Sequence, residues 1–81
     1  MKTQTIAINM DDIRNQNIKE VLTHVSEALT ERGYNAVNQI AGYLITNDPA
    51  YISGYKNARS VIQTVERHEI IEALVREYLR K

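Results

Sequence analysis

Residues 17–33 read NIKEVLTHVSEALTERG, and this stretch sets the fold class. Ile18, Val21, Leu22, Val25 and Leu29 fall at the i, i+3, i+4, i+7 and i+11 positions of one helical face. Such spacing makes a single apolar stripe that must be buried against other elements. Asn17 stands where an N-cap is wanted, with Glu20 three residues on in a capping-box relation. Gly33 closes the stretch, placed to supply the left-handed backbone that commonly ends a helix.

Working toward the C-terminus, a second helix is expected from Asn35, burying Val37, Ile40, Ala41, Leu44 and Ile45. It stops at Asp48-Pro49, because a residue before proline is pushed out of the α region. Residues 48–55, DPAYISGY, read as a structured loop or a short helical turn. From Tyr55 to Arg80 there is neither glycine nor proline, yet the apolar phase changes. Ala58, Val61, Ile62 and Val65 form one stripe; Ile70, Ile71, Leu74, Val75, Tyr78 and Leu79 form another. The five-residue step from Val65 to Ile70 turns the stripe by roughly 140°. Two readings follow: a break near Glu66–Glu69, or one long helix with two faces. The second stripe is wide and suits packing against a second chain. Glu72 with Arg76, and Glu77 with Lys81, are spaced as i, i+4 pairs on its solvent side.

Toward the N-terminus, Ile6, Ile8 and Met10 alternate with Thr5, Ala7 and Asn9, the period of an extended segment. Alone it is too short to be stable, so it pairs with another strand or forms a mobile tail. The polar run DDIRNQN at 11–17 reads as a linker. The division is therefore an N-terminal mobile segment over 1–16 and a helical domain over 17–81. The fold class is all-α, with four to five helices.

Composition narrows the function. Eighty-one residues make at most one domain, and a chain this short often supplements its core by oligomerisation. There is no cysteine, which removes disulfides and thiolate metal sites. Ten basic and ten acidic residues cancel, with neither sign concentrated, whereas nucleic-acid binders usually carry a basic patch. No stretch has the apolar length of a signal peptide core or a membrane span, so the expected location is the cytoplasm.

Chemistry-bearing patterns are sparse. His68 and Glu72 share a helical face but supply only two metal ligands, and His24 lies beside the first apolar stripe. Ser26, Ser53 and Ser60 have no nucleophile context, and Asp11-Asp12 reads as solvated charge at a linker or helix start. No catalytic residue, metal or cofactor is expected. Tyr43, Tyr51 and Tyr55 cluster around the Asp-Pro loop, and tyrosine suits both interfaces and loop packing with its hydroxyl satisfied. A rival reading is a helix-turn-helix, with residues 38–44 as its first helix and Lys56, Asn57 and Arg59 on a DNA-reading helix. Its long turn through Pro49 and its few basic groups count against it.

Taken together, Gly33-Tyr34-Asn35, Asn38-Gln39-Ile40, Gly42-Tyr43-Leu44 and Asp48-Pro49-Ala50-Tyr51-Ile52, followed by Ala58-Arg59, Glu66-Arg67, Glu69-Ile70-Ile71, Leu74-Val75-Arg76 and Tyr78-Leu79, resemble the IreB family. These are small regulatory phosphoproteins of low-GC Gram-positive bacteria. The resemblance implies a helical homodimer with a mobile N-terminal segment. It also implies a substrate of the membrane-anchored PASTA-domain Ser/Thr kinase, acting on cell-wall homeostasis and restraining cephalosporin resistance, an antibiotic-resistance trait. The implied acceptors are Thr5 and, second, Thr3. Arg59, Arg67 and Arg76 are equally placed by sequence to receive the phosphate. Enzymes of peptidoglycan precursor synthesis are the implied downstream partners. Interface candidates are Tyr43, Tyr51, Tyr55, Ile71, Leu74, Val75 and Tyr78. The chain departs from the family pattern at Gln4, at Ala36 and Ser53 (usually proline), at Asn47 (usually glycine) and at His68 (usually aspartate).

Overall fold

Four α-helices organise the chain: α1 (Met10–Glu31), α2 (Ala36–Thr46), α3 (Ala58–Ile62) and α4 (Arg67–Leu79). Short 3-10 turns at Pro49–Tyr51 and Tyr55–Asn57 lie between α2 and α3. The computed structural model describes residues 10–80, with side chains over 13–80. Among the described residues there is no strand, and the fold is all-α. Thr3, Thr5 and the alternating segment around Ile6 and Ile8 lie outside the described residues.

The stripe in residues 17–33 builds the core. Ile18, Val21, Val25, Ala28 and Leu29 are all buried, and Leu22 packs partly against them. α2, α3, α4 and the Tyr55–Asn57 turn each pack on α1. They add Tyr43, Ile52, Ala58, Ile62, Val65 and Ile70 to one cluster. Each large aliphatic side chain fully buried there contributes roughly 1.5–3 kcal/mol relative to exposure. At Gly33 the backbone turns left-handed with φ +83°. Tyr34 N–H then donates to the Leu29 carbonyl and Gly33 N–H to that of Thr30, both at 3.0 Å. That paired closure satisfies carbonyls the helix would otherwise leave open.

The helix start differs from expectation. α1 begins at Met10, so residues 10–16 are helical and Asn17 is an interior residue, not a cap. Two acidic residues in the first turn favour a helix start there, because negative charge stabilises the positive end of the helix dipole. Residues 14 and 15 also acquire partners on α4: Arg14 lies 3.9 Å from Glu69, and Arg76 donates to Asn15 Oδ1 at 3.0 Å. Both contacts are long-range and invisible to local pattern.

α2 also turns a different face inward. Ala36, Ile40, Tyr43 and Leu44 face the core, whereas Val37 and Ile45 are 77% and 80% exposed. Ala41, on the same side as these two, is exposed as well. The two stripes are offset by one residue, and either satisfies a 3.6-residue period. Gly42 decides a close approach. A Cβ there would overlap the Tyr51 ring, which folds back onto α2 while Gln39 Nε2 donates to the Tyr51 carbonyl at 2.9 Å.

Between the two C-terminal stripes the chain breaks rather than continuing as one long helix. α3 ends at Ile62, Glu66 is extended (φ −67°, ψ 141°), and α4 starts at Arg67. Val65 and Ile70 are both buried in the same core, and a continuous helix would have pointed them about 140° apart. Of the expected helix-surface pairs, Glu72 with Arg76 is not formed, because Arg76 turns to Asn15; Glu77 meets Arg80 at 2.6 Å, and Lys81 lies outside the described residues.

Two family departures acquire a physical meaning. Ala36 is the first residue of α2, after the N-cap Asn35, whose side chain accepts from Asn38 N–H at 3.0 Å. Proline is favoured at that first position because its missing N–H costs no helical bond. Asn47 caps the other end with φ 59°, a left-handed conformation that glycine adopts without strain and asparagine tolerates. The double substitution Ala36→Pro, Asn47→Gly should therefore stabilise the fold by about 1 kcal/mol. The corresponding rise in Tm, about 4–8 °C for a domain of this size, is readable by thermal circular dichroism. A fall in Tm would contradict the geometry assigned to one of the two ends.

Candidate functional site

Among the described residues no polar or charged group is buried, and no three His, Asp or Glu side chains converge as a metal site would need. Three surface features stand out.

The first is the outer face of α4. Ile71, Leu74, Val75 and Tyr78 repeat at i, i+3, i+4 and i+7, and they are 42%, 43%, 51% and 89% exposed. Leu79 extends the stripe. Only Ile70 and, partly, Ala73 turn toward the core. Apolar groups at this spacing are what one helix offers to another.

The second is a knot of polar contacts holding residues 48–59. Asp48 accepts from Ala50 N–H at 3.0 Å, capping the turn that Pro49 opens. Arg59 Nε donates to the carbonyls of Ile52 at 2.8 Å and Pro49 at 3.2 Å. Arg67 reaches the Leu44 carbonyl at 2.7 Å and closes the end of α2. Lys56 and Asn57 both have left-handed backbone (φ 52° and 62°), a strained arrangement for two successive residues with side chains. It is pinned from α1. His24 Nε2 donates to the Lys56 carbonyl at 2.7 Å, so that nitrogen carries the proton. Lys56 Nζ lies 2.9 Å from Glu31 Oε1, and Tyr55 O–H donates to the same oxygen at 3.1 Å. Arg32 and Lys56 stand 5.1 and 5.5 Å from the Tyr55 ring centre, within cation–π range.

The third is an open groove of about 1200 Å³ between α1 and α4. Ile18, Leu22, Leu74 and Leu79 contribute apolar surface, Lys19, Arg76 and Arg80 positive charge, and Glu27 and Glu77 negative charge.

A model of the family described as IreB regulatory phosphoprotein matches residues 3–80. The chain belongs to the IreB family. Its role is thus regulatory, and the long match takes in both N-terminal threonines as well as the four helices.

Within this IreB-family fold the expected interface residues separate. Tyr43 is 3% exposed and sits in the core, so it offers no surface to a partner. The other α2 stripe faces outward, and Tyr43 fills the space between α2 and the rest of the core cluster. Tyr55 is half-buried with its hydroxyl tied to Glu31, and the Tyr51 ring lies against Gly42 while remaining 38% exposed. Ile71, Leu74, Val75 and Tyr78 share one exposed face. The helix-turn-helix geometry is not formed: α3 has five residues, and Arg59 and Lys56 hold the fold. Sequence reasoning missed the exposed Val37 and Ile45, and the pinning roles of His24 and Glu31. No described helix is long and apolar enough to cross a membrane.

The Glu31 carboxyl is held below its ordinary value, chiefly by the Lys56 hydrogen bond and next by Tyr55. Lys56 is raised by the same partner. A lowered carboxylate contributes its stabilisation fully above the ordinary carboxylate range and loses it as pH falls through the folded value. Carbon-detected NMR should show Glu31 titrating below a carboxyl in an unstructured peptide, and Lys56→Met should move that midpoint upward. An unmoved midpoint in Lys56→Met would remove Lys56 as the cause.

Proposed function

We propose that this chain is a non-enzymatic regulatory phosphoprotein that a PASTA-domain Ser/Thr kinase modifies at Thr5, with Thr3 as a second acceptor. The family match over residues 3–80 carries this reading, because it extends through both threonines. Both precede Met10, where the first helix starts, and a kinase must draw its acceptor into the active site in extended form. A phosphate there adds nearly two negative charges to a chain of zero net charge, a large local change for a small protein. The output is cytoplasmic protein–protein contact that modulates cell-wall homeostasis and cephalosporin resistance, with an enzyme of peptidoglycan precursor synthesis as the downstream partner. Nucleic acid is not a partner in this reading, since charge balance and a five-residue α3 offer it no footprint.

The α4 stripe supports self-association. Ile71, Leu74, Val75, Tyr78 and Leu79 leave much of their surface in water, and one 13-residue helix seldom carries so many exposed apolar groups without a partner. A second copy placing the same stripe against it by two-fold symmetry would bury both at once.

Two measurements test this. Intact mass after incubation with the kinase domain and ATP should show one or two added phosphates on the wild type, reduced or lost in Thr5→Ala; no phosphate on either, with an active control substrate, would refute the acceptor assignment. Sedimentation equilibrium should return a mass above the single-chain 9.3 kDa. Val75→Glu should then weaken association roughly tenfold or more while leaving the helical spectrum intact. A wild-type chain sedimenting as a monomer at micromolar concentration would sink the homodimer.

A further inference from the structure

The exposed large apolar side chains of the described residues fall into two groups. One is the α4 stripe. The other lies on α2, where Val37 and Ile45 are 77% and 80% exposed, Ala41 stands exposed between them, and Tyr34 precedes the helix. Outside these groups stand only Ile13, on α1, and Tyr51, whose ring lies against Gly42. The α2 flank is set apart by its charge. From Gly33 to Asn47 the chain carries no Asp, Glu, Lys or Arg, although 25% of all residues are charged. A flank that merely meets water has no reason to exclude charge, whereas the centre of a protein interface does. Polar side chains of α2 are spent within the fold: Gln39 donates to the Tyr51 carbonyl and Thr46 to that of Gly42.

We infer that α2 packs through Val37, Ala41 and Ile45 against α2 of a second copy, on the same two-fold axis that pairs the α4 stripes. The inference rests on the self-association reading above and supplies the part of the interface that α4 lacks. Area asks for it. A stable dimer interface takes roughly 800 Å² and 20–30 residues from each partner, and five residues of one helix fall short of that. Position permits it. Arg67, at the start of α4, donates to the Leu44 carbonyl, and Ile71 lines one cleft with Tyr43 and Asn47. The N-terminal end of the α4 stripe thus adjoins the C-terminal end of α2. A two-fold axis runs within the interface it generates, so two neighbouring helices can each meet their own copy at different heights along it. Chemistry selects a second copy over a foreign chain. The axis sets identical groups against each other, so a charged flank would oppose itself, and this one has no charge. Val37, Ala41 and Ile45 repeat at i, i+4 and i+8, the ridge that interdigitates with its like when two helices cross at roughly 50°. The smallest of the three stands at the centre, where the two backbones approach most closely.

The test uses the full chain, which has no cysteine of its own, so one introduced thiol reports one position. Under mild oxidation Ala41→Cys should form a covalent dimer at concentrations where Ser60→Cys, exposed on α3, stays a single chain. By sedimentation equilibrium, Ile45→Glu should weaken dimerisation roughly tenfold or more, as Val75→Glu does. Ser60→Glu should leave it unchanged, which excludes an effect of added charge alone. These side chains are exposed, so circular dichroism should show every variant as helical as wild type. A dimer that Val75→Glu weakens and Ile45→Glu does not, with no cross-link through Ala41→Cys, would overturn the inference and leave the α4 dimer standing. Weakening by Ile45→Glu without the cross-link would set α2 against another element of the partner and overturn the pairing as well. So would a mass of four chains that each substitution reduces to two, because the two faces would then lie on separate axes. A wild-type monomer would remove the α4 dimer itself, and this inference with it.

Discussion

Everything in this fold leans on the apolar stripe of α1. Val25 and Leu29 are wholly buried, and Ile18, Val21 and Ala28 nearly so. α2, α3, α4 and the Tyr55–Asn57 turn each pack against that helix. A chain of 81 residues has little apolar surface to bury, so one long helix serves as the common wall for all the short ones. The consequence is a core without a single buried polar group among the described residues.

The irregular stretch between α2 and α3 shows how a segment with little regular structure is kept in one conformation. Its carbonyls are answered by side chains from elsewhere: Arg59 on Pro49 and Ile52, Gln39 on Tyr51, His24 on Lys56. These bonds offset the strain of two successive left-handed residues. The same commitments withdraw Arg59 and Lys56 from any surface role. A basic residue in sequence is not an available charge until its partners are known.

α4 is where fold and function meet. One side joins the core through Ile70 and flanks the groove with Arg76; the other presents an apolar stripe to water. The helix breaks away from α3 because Val65 and Ile70 must both reach the same interior, and that break sets the direction of both faces.

Much was legible without coordinates. The spacing in residues 17–33 identified the stripe of α1 and the glycine that ends it, Asp48-Pro49 marked the end of α2, and the phase shift after Val65 exposed a discontinuity. The wide stripe of α4 was readable as more apolar surface than one small core could take. Local pattern failed where two answers were locally equal. α2 carries two stripes one residue apart, and only packing against α1 turned Tyr43 inward and left Val37 and Ile45 outside. The start of α1 was misplaced because its contacts to Glu69 and Arg76 are more than fifty residues away in the chain. Sequence periodicity states which residues share a face. Which face is buried, and which arginines are committed to backbone carbonyls, depends on long-range contacts that exist only once the helices have packed.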